Sequence, residues 1–140
     1  MLPLAFCFVF LWTDKASSGV DVQKTPMGLS IQYMMCEADQ KLEQLIIFLR
    51  EHRTEKIIVY FLTCSCVDFA SLALRRLGPE FIPGIKVHAL HGRMKQAARE
   101  ATLEDYTRLS AGCLLCTDLA ARGLDIPDVN WIVQMDPPQV

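Results

Sequence analysis

The sequence lacks a large excess of charge of either sign, and it lacks internal repeats, low-complexity segments and long apolar runs. Its formal net charge is -2, so the chain is not a polycation, and any contact with nucleic acid must come from a local patch. No apolar run approaches the length of about 20 residues that a membrane-spanning helix needs. These absences argue against a repeat architecture and against a membrane partner.

Two motifs of phosphate and metal chemistry are also absent. No Gly-x-x-x-x-Gly-Lys-Ser/Thr loop occurs, so the chain has no phosphate cradle of that kind. No acidic box that could hold magnesium occurs either. No Ser or Cys nucleophile pairs with His91, which we therefore interpret as a hydrogen bonder at a helix entry and not as a catalyst.

The apolar content is high enough for a folded core. Hydrophobic residues make up 51% of the 140 positions and charged residues 21%, which argues against a disordered chain. A chain of this length allows one domain at most.

Residues 1–12, MLPLAFCFVFLW, form an apolar stretch that is too short to span a bilayer. They could be the core of a signal peptide, but no Lys or Arg precedes them, so the basic first region of such a leader is missing. We therefore favour a non-native start, either an alternative exon or a gene-model error joined near residue 20. Residues 1–28 are accordingly left out of the fold, and their Ser-, Gly- and Pro-containing second half is predicted to be a linker.

Six cysteines are present, at positions 7, 36, 64, 66, 113 and 116. The pairs Cys64-x-Cys66 and Cys113-x-x-Cys116 could suggest a zinc site or a redox protein of a secreted class. However, residues three apart on a strand point to opposite faces of the sheet. We expect reduced structural thiols of an intracellular protein and no metal site.

Strand-like and helix-like patterns alternate along the chain. Predicted strands cover residues 30–36, 57–62, 85–90, 112–116 and 130–135, and predicted helices cover 39–53, 67–77 and 94–109. Gly78-Pro79 is expected to end the second helix. The alternation predicts an α/β domain with a parallel sheet and right-handed crossovers, the first strand lying at an edge. Because the sequence ends directly after a core strand, we expect the sheet to be incomplete at its C-terminal end.

The loop at residues 116–127 follows a predicted buried strand, and open α/β sheets bind ligands at that position. Thr117 offers a hydroxyl, Arg122 a cation and Asp125 an acceptor, while Gly123 allows a close approach of backbone. The alternative is a tight strand-to-helix connection whose charges face water.

A basic window lies between Phe81 and Arg99, where no acidic residue occurs. Its basic members are Lys86, His88, His91, Arg93, Lys95 and Arg99. Together with the amides of a helix N-terminus, they could contact a nucleic-acid backbone, which is recognised by charge. The alternative is a solvated basic face. Composition and spacing thus predict an α/β domain with a ligand site on a loop and a basic patch, but they do not predict an activity.

Four segments resemble the C-terminal lobe of DEAD-box RNA helicases, in order and in spacing. Residues 117–127, Thr-Asp-x-Ala-Ala-Arg-Gly-Leu-Asp-Ile-Pro, resemble motifs V and Va. Residues 59–63, Val-Tyr-Phe-x-Thr, resemble motif IV, and residues 91–99 resemble the His-Gly-x-Met-x-Gln-x-x-Arg segment. Residues 129–136 match the strand after motif Va.

The resemblance implies two RecA-like lobes that close over ATP and single-stranded RNA, separate short duplexes and release the strand on hydrolysis. The positions that it assigns to RNA binding are Thr63, Gln96, Arg99 and Thr117. Those that it assigns to ATP and the interlobe cleft are Gly123, Asp125, near the ribose, and Arg122, as a coupling residue. Residues 63–67 and 130–138 look most like the branch that serves large ribosomal subunit biogenesis, which implies pre-rRNA as the RNA and the nucleus or nucleolus as the location.

The chain also departs from the family pattern. The N-terminal lobe, with its P-loop and magnesium box, is missing, and residues 29–140 stop before motif VI. We therefore expect ATP and Mg²⁺ to bind the full-length protein, with the missing lobe as partner, and the isolated chain to bind neither and to be inactive. The rival is a short, non-catalytic product that binds RNA or docks on a lobe. The segment at residues 75–83 is longer than is usual in this branch of the family, and it is predicted to contain an insertion in a surface loop.

Overall fold

One mixed sheet of six strands organises the computed structural model, which describes residues 6–13 and 29–136. The strands are β1 (Phe6–Thr13), β2 (Leu29–Cys36), β3 (Lys56–Phe61), β4 (Val87–Leu90), β5 (Gly112–Thr117) and β6 (Trp131–Gln134). The helices are α1 (Lys41–Glu51), α2 (Cys64–Phe81), α3 (Gln96–Arg108) and the single turn α4 (Asp118–Ala121). A short 3-10 turn at Ala38–Gln40 precedes α1, so the predicted helix from residue 39 begins as this turn.

The strand order is β2-β1-β6-β3-β5-β4. The last four strands in this order run parallel, as predicted, and β2 lies at an edge of the sheet. Because the carboxyl ends of β3, β4, β5 and β6 meet along one side of the sheet, the loops that follow these strands also meet there. We call this side the carboxyl edge.

β1 is a strand that the sequence interpretation left out of the fold. It is antiparallel to both of its neighbours, pairing from Phe6↔Cys36 to Thr13↔Leu29 with β2 and from Val9↔Gln134 to Trp12↔Trp131 with β6. Its sequence, FCFVFLWT, is rich in the aromatic and β-branched residues that favour a pleated, half-buried strand. The same apolar run that suggested a leader is thus a strand inside the sheet.

The two faces of the sheet carry separate apolar clusters. On the first face, α1 and α2 contribute Leu45, Leu49, Val67, Ala70 and Leu74 to a cluster with β3 and β5. On the second face, Tyr106 of α3 packs with Ile58 and Leu114, and its hydroxyl donates to the carbonyl of Ile57 at 2.7 Å. The alternation within β3 and β5 buries both faces, as expected for central strands of a parallel sheet.

The cysteines of β5 follow the alternation predicted for a strand. Cys113 lies in the first cluster and Cys116 in the second, so their side chains point to opposite faces. Burial raises the pKa of both thiols, that of Cys116 to about 12. All the cysteines with described side chains are free thiols.

α2 does not end at Gly78-Pro79 as predicted. It continues to Phe81, and the amide of Ile82 donates to the Gly78 carbonyl at 2.8 Å. The steric clash that normally ends a helix before proline involves the Cβ of the preceding residue, which glycine lacks. The buried side chain of Ile82 also packs against Gly78, so tertiary contact stabilises this last turn. Most of the surface-loop insertion predicted at residues 75–83 is therefore helix.

Candidate nucleic-acid interface

Three adjacent parallel strands each deliver polar residues to the carboxyl edge. β3 leads to Thr63, β4 leads to the turn at residues 91–94, and β5 ends at Thr117. Since β5 lies between β3 and β4, the three positions are side by side. The topology thus brings together residues that are up to 54 positions apart in sequence, from Thr63 to Thr117.

Thr63 is the N-cap of α2, and its side chain is exposed. Its Oγ1 accepts a hydrogen bond from the amide of Cys66 at 3.1 Å, which satisfies one of the free amides of the first turn. The hydroxyl proton remains able to donate to a ligand, next to a helix N-terminus that carries partial positive charge.

The turn after β4 is organised by His91, whose side chain is only 7% exposed. Its Nδ1 accepts from the amide of Arg93 at 3.2 Å, and the amide of Met94 donates to the His91 carbonyl at 3.2 Å. Its Nε2 lies 2.7 Å from Oδ1 of Asp68 on α2. This geometry agrees with the interpretation of His91 as a hydrogen bonder at a helix entry.

α3 begins at this edge with Lys95 as its N-cap, followed by Gln96 and, one turn on, Arg99. Gln96 is exposed, but its Nε2 donates to Oε1 of Glu100 at 2.8 Å, a contact that the acid-free window did not reveal because Glu100 lies just beyond it. Arg99 is half-buried, and it is not among the cations that form ion pairs within residues 29–136.

The basic window of the sequence divides in two in the structure. Lys86 immediately precedes β4, so it lies at the amino ends of the parallel strands, opposite the carboxyl edge. His88 lies within β4, and the centroid of its ring is 6.1 Å from that of Tyr106. Burial lowers the pKa of His88, which favours its neutral form. The cations that do lie at the carboxyl edge are Arg93, Lys95 and Arg99, in the turn after β4 and the first turn of α3.

Thr117 closes β5, but its side chain is only 6% exposed. It pairs with Phe61 across the β3–β5 ladder and precedes the single turn of α4. The structure therefore places Thr117 at the carboxyl edge, but buried, whereas Thr63 and Gln96 are exposed there.

The loop after α4 contains both half-buried and exposed residues. Leu124, Ile126 and Val129 pack against the second apolar cluster, while Arg122, Gly123 and Asp125 face solvent. Gly123 has a φ of +78°, a left-handed conformation that favours glycine, and a Cβ there would meet nothing within 4 Å. An anchored loop thus presents a cation, an open backbone and a carboxylate.

The match with a known family follows the same region of the chain. A family model described as the helicase conserved C-terminal domain matches residues 37–140. The chain belongs to this family, in its DEAD-box branch. The resemblance inferred from the sequence motifs is therefore confirmed.

DEAD-box ATP-dependent RNA helicase 18 of rice (Oryza sativa subsp. japonica) is 48% identical over 126 residues, which cover 90% of this chain and 19% of that protein. Among solved structures, the DEAD-box protein SrmB of E. coli, bound to regulator of ribonuclease activity A, is 30% identical with a TM-score of 0.61, over 71% of this chain and 55% of that chain. Domain 2 of the DEAD-box helicase Mss116p, bound to an RNA duplex, is 25% identical with a TM-score of 0.52, over 63% and 34% of the two chains. The RecA-like α/β fold expected from the sequence is confirmed, and the chain spans about a fifth of the length of the curated relatives that it matches.

The loop after α4 of this DEAD-box domain carries a residue that fits a nucleotide ribose. Asp125 offers an exposed carboxylate that can accept hydrogen bonds from ribose hydroxyls. In the part of the chain that the structure describes, no group of three or more His, Cys, Asp or Glu residues is placed to hold a metal ion. Within those same ranges, no helix is both long and apolar enough to cross a membrane.

Sequence reasoning missed two residues of this DEAD-box domain that contact the candidate interface. Asp68 and Ser65, both on the first turns of α2, bind the turn after β4 through His91 and Arg93. No motif marks them, because the contact joins α2 to a turn 23 or more residues away in sequence. Their spacing from the N-cap Thr63, two and five residues, places them near the carboxyl edge only once α2 is known to begin at Cys64.

Proposed function

We propose that this chain is the C-terminal lobe of an ATP-dependent DEAD-box RNA helicase, and that its carboxyl edge binds the backbone of single-stranded RNA. The observation that carries the proposal is the convergence of an exposed capping hydroxyl, two helix N-termini and the cations of residues 91–99 at one side of the sheet. Such groups are typical of phosphate contacts, which position a nucleic acid without reading its sequence.

Each RNA-binding residue has a distinct role in this proposal. Thr63 donates its hydroxyl proton to a phosphate oxygen, and Arg99 supplies the charge that holds the neighbouring phosphate. Gln96 exchanges its contact with Glu100 for a 2′-hydroxyl or a phosphate. Thr117, which is buried, supports the same edge from below and reaches RNA when the lobes close.

The ATP-related residues lie on the neighbouring loop. Asp125 accepts from the ribose, Gly123 lets the backbone approach the other lobe, and Arg122 couples the two sites. When ATP and Mg²⁺ are bound between the lobes, hydrolysis supplies the step that releases the RNA strand. This chain contributes the ribose contact, whereas the phosphate cradle and the magnesium ligands come from the N-terminal lobe. The isolated chain therefore neither hydrolyses ATP nor unwinds RNA.

The resemblance to one branch of the family supports a proposal for the finer role. Residues 63–67 and 130–138 resemble the helicases of large ribosomal subunit biogenesis, so the substrate is pre-rRNA and the location is the nucleolus. The helicase family pattern begins at residue 29, whereas β1, within residues 1–28, adds a strand to the sheet outside that pattern. Crosslinking of the full-length protein in its source cells tests this role, and recovery of messenger RNA in place of pre-rRNA would refute it.

The RNA-binding proposal is tested by titrating the chain into a labelled single-stranded oligouridylate at several salt concentrations. Arg99→Ala is expected to weaken binding about tenfold, because the loss of a charge-assisted contact removes about 1.5 kcal/mol. It should also reduce the slope of log affinity against log salt by roughly 0.7. Arg50→Ala is the matched control, since Arg50 is exposed in the last turn of α1, away from the carboxyl edge. Equal effects of the two substitutions would refute the assignment.

A further inference from the structure

Two side-chain links join the turn after β4 to the first turns of α2. Asp68 Oδ1 lies 2.7 Å from Nε2 of His91, and Arg93 Nη2 donates to Oγ of Ser65 at 2.9 Å. The second carboxylate oxygen of Asp68 lies 4.0 Å from Nη2 of Arg93. One carboxylate on α2 thus faces both the imidazole and the guanidinium of the opposite turn.

The hydrogen bonds of His91 define which ring nitrogen carries the proton. Since Nδ1 accepts the amide of Arg93, the proton of the neutral ring lies on Nε2, which then donates to Asp68. The ring is almost fully buried, whereas the side chain of Asp68 is 61% exposed. His91 therefore transmits the position of the Asp68 carboxylate to the backbone of Arg93.

The backbone that is held in this way leads directly into α3. Arg93 is followed within six residues by Lys95, Gln96 and Arg99, while Asp68 lies five residues after the N-cap Thr63. The Asp68–His91 link therefore spans the gap between the two helix N-termini that form the carboxyl edge. A change in this link would move one set of phosphate contacts relative to the other.

We propose that Asp68 is a positioning residue for RNA binding: through His91 it holds the N-terminus of α3 in register with the N-terminus of α2. This inference rests on the function proposed above. It explains why an exposed carboxylate lies beside a surface that attracts phosphate, where its charge alone would repel the ligand.

The charge of Asp68 and its positioning role have opposite effects on RNA binding, so the direction of the affinity change in Asp68 variants distinguishes them. If Asp68 acted only through its charge, Asp68→Asn and Asp68→Ala would both tighten the binding of the oligouridylate. If Asp68 acts by position, Asp68→Ala weakens binding by roughly three- to tenfold, the effect of losing one hydrogen bond of ordinary net strength. Asp68→Asn retains an oxygen that accepts from Nε2, so it should restore binding to within about twofold of the parent chain. Glu80→Ala, which removes an exposed carboxylate near the other end of α2, is the control and should leave binding unchanged.

A second measurement keeps this inference separate from the RNA-binding proposal. Nitrogen-15 NMR of the imidazole reports its tautomer, and we expect the Nε2-protonated form in the parent chain and in Asp68→Asn. In Asp68→Ala we expect mixed tautomers and faster hydrogen exchange of the Arg93 amide. An unchanged tautomer and amide in Asp68→Ala would overturn the positioning role, whatever the RNA affinity. If the NMR changes occur but neither the parent chain nor Arg99→Ala binds the oligouridylate, the RNA-binding proposal fails and the link to α3 stands.

Discussion

Single side chains at the carboxyl edge have two hydrogen-bonding roles at once. Thr63 accepts from an amide of its own helix and still has a proton to donate, and His91 accepts from one backbone amide while it donates to a carboxylate. Hydroxyl and imidazole groups are suited to this because each has both donor and acceptor capacity. Thr63, which binds RNA in our proposal, is therefore also one of the groups that hold the carboxyl edge together.

The first prediction at the scale of residues concerns the thiol of Cys116. Its pKa rises from 9.0 in the unfolded chain to about 12 in the fold, so between these values the unfolded chain loses the thiol proton first. This contribution to the free energy of unfolding is present below pH 9 and is lost at about 1.4 kcal/mol per pH unit above it. Urea unfolding at several pH values should show a steeper alkaline decline in the parent chain than in Cys116→Ala. Cys66→Ala is the control, because Cys66 is an exposed thiol; parallel declines in the parent chain and Cys116→Ala would contradict the prediction.

The assignments of individual residues differ in how well the sequence predicts them. The location of Thr63 and Arg99 follows from strand ends and motif spacing, since both are tied to a local pattern. The burial of Thr117 and the Gln96–Glu100 contact depend on side-chain packing that spacing does not contain. Asp68 is harder still, because its partner His91 comes from another βα unit of the sheet.

At the scale of elements, β1 has the largest effect on the architecture. It is paired along both sides, whereas β2 is paired along one. The sequence interpretation treated residues 1–12 as a leader-like run, because an apolar segment without a helical or strand period does not reveal its partners. The alternation of strands and helices from β2 onward, in contrast, was sufficient to predict the parallel part of the sheet.

The pairing of β1 with two neighbouring strands predicts that a proline substitution in β1 destabilises the fold. Phe10 pairs with Gln32 of β2 and with Val133 of β6. Proline removes a backbone donor and fits poorly inside a sheet, so Phe10→Pro should lower the free energy of unfolding by about 3 kcal/mol. Ile31→Pro on the edge strand β2 should cost less, and urea denaturation compares the two. If Phe10→Pro proves as stable as the parent chain, β1 is not a strand of the sheet in solution.

The element boundaries show where local signals yield to packing. Gly78-Pro79 is a strong local signal for a helix end, yet α2 continues past it because burial of Ile82 stabilises one further turn. The remaining differences in strand and helix ends are of one to three residues, which is the usual scale of fraying and capping.

On the scale of the whole molecule, the division of the ligand contacts decides what this chain can do. In our proposal it contributes an exposed carboxylate for the ribose and the carboxyl edge for RNA, while the phosphate cradle is absent from its sequence. Its relatives are named ATP-dependent RNA helicases and are about five times as long. The activity named for them therefore depends, in our proposal, on a second lobe.

The corresponding prediction concerns ATP turnover. The purified chain, with ATP, Mg²⁺ and single-stranded RNA, should release phosphate no faster than the buffer does, because its sequence has neither the P-loop that cradles the phosphates nor the acidic box that holds Mg²⁺. A full-length relative serves as the positive control in a continuous phosphate assay. Release that requires RNA and disappears in Asp125→Ala would show that the chain carries a complete site.

The position of β1 also has a consequence for the order of folding. Its pairing with β6 joins residues 6–13 to residues 131–134, the most distant segments of the described chain. Contacts of such long range close a large loop and slow the search for the native state. Because β6 follows β1 at the far end of the described chain, a ribosome must complete β6 before β1 can find its second partner, and β1 is fully paired only late. Until β6 is made, β2 is the one partner that β1 can have in this sheet, and an apolar strand with an unpaired edge is prone to aggregation.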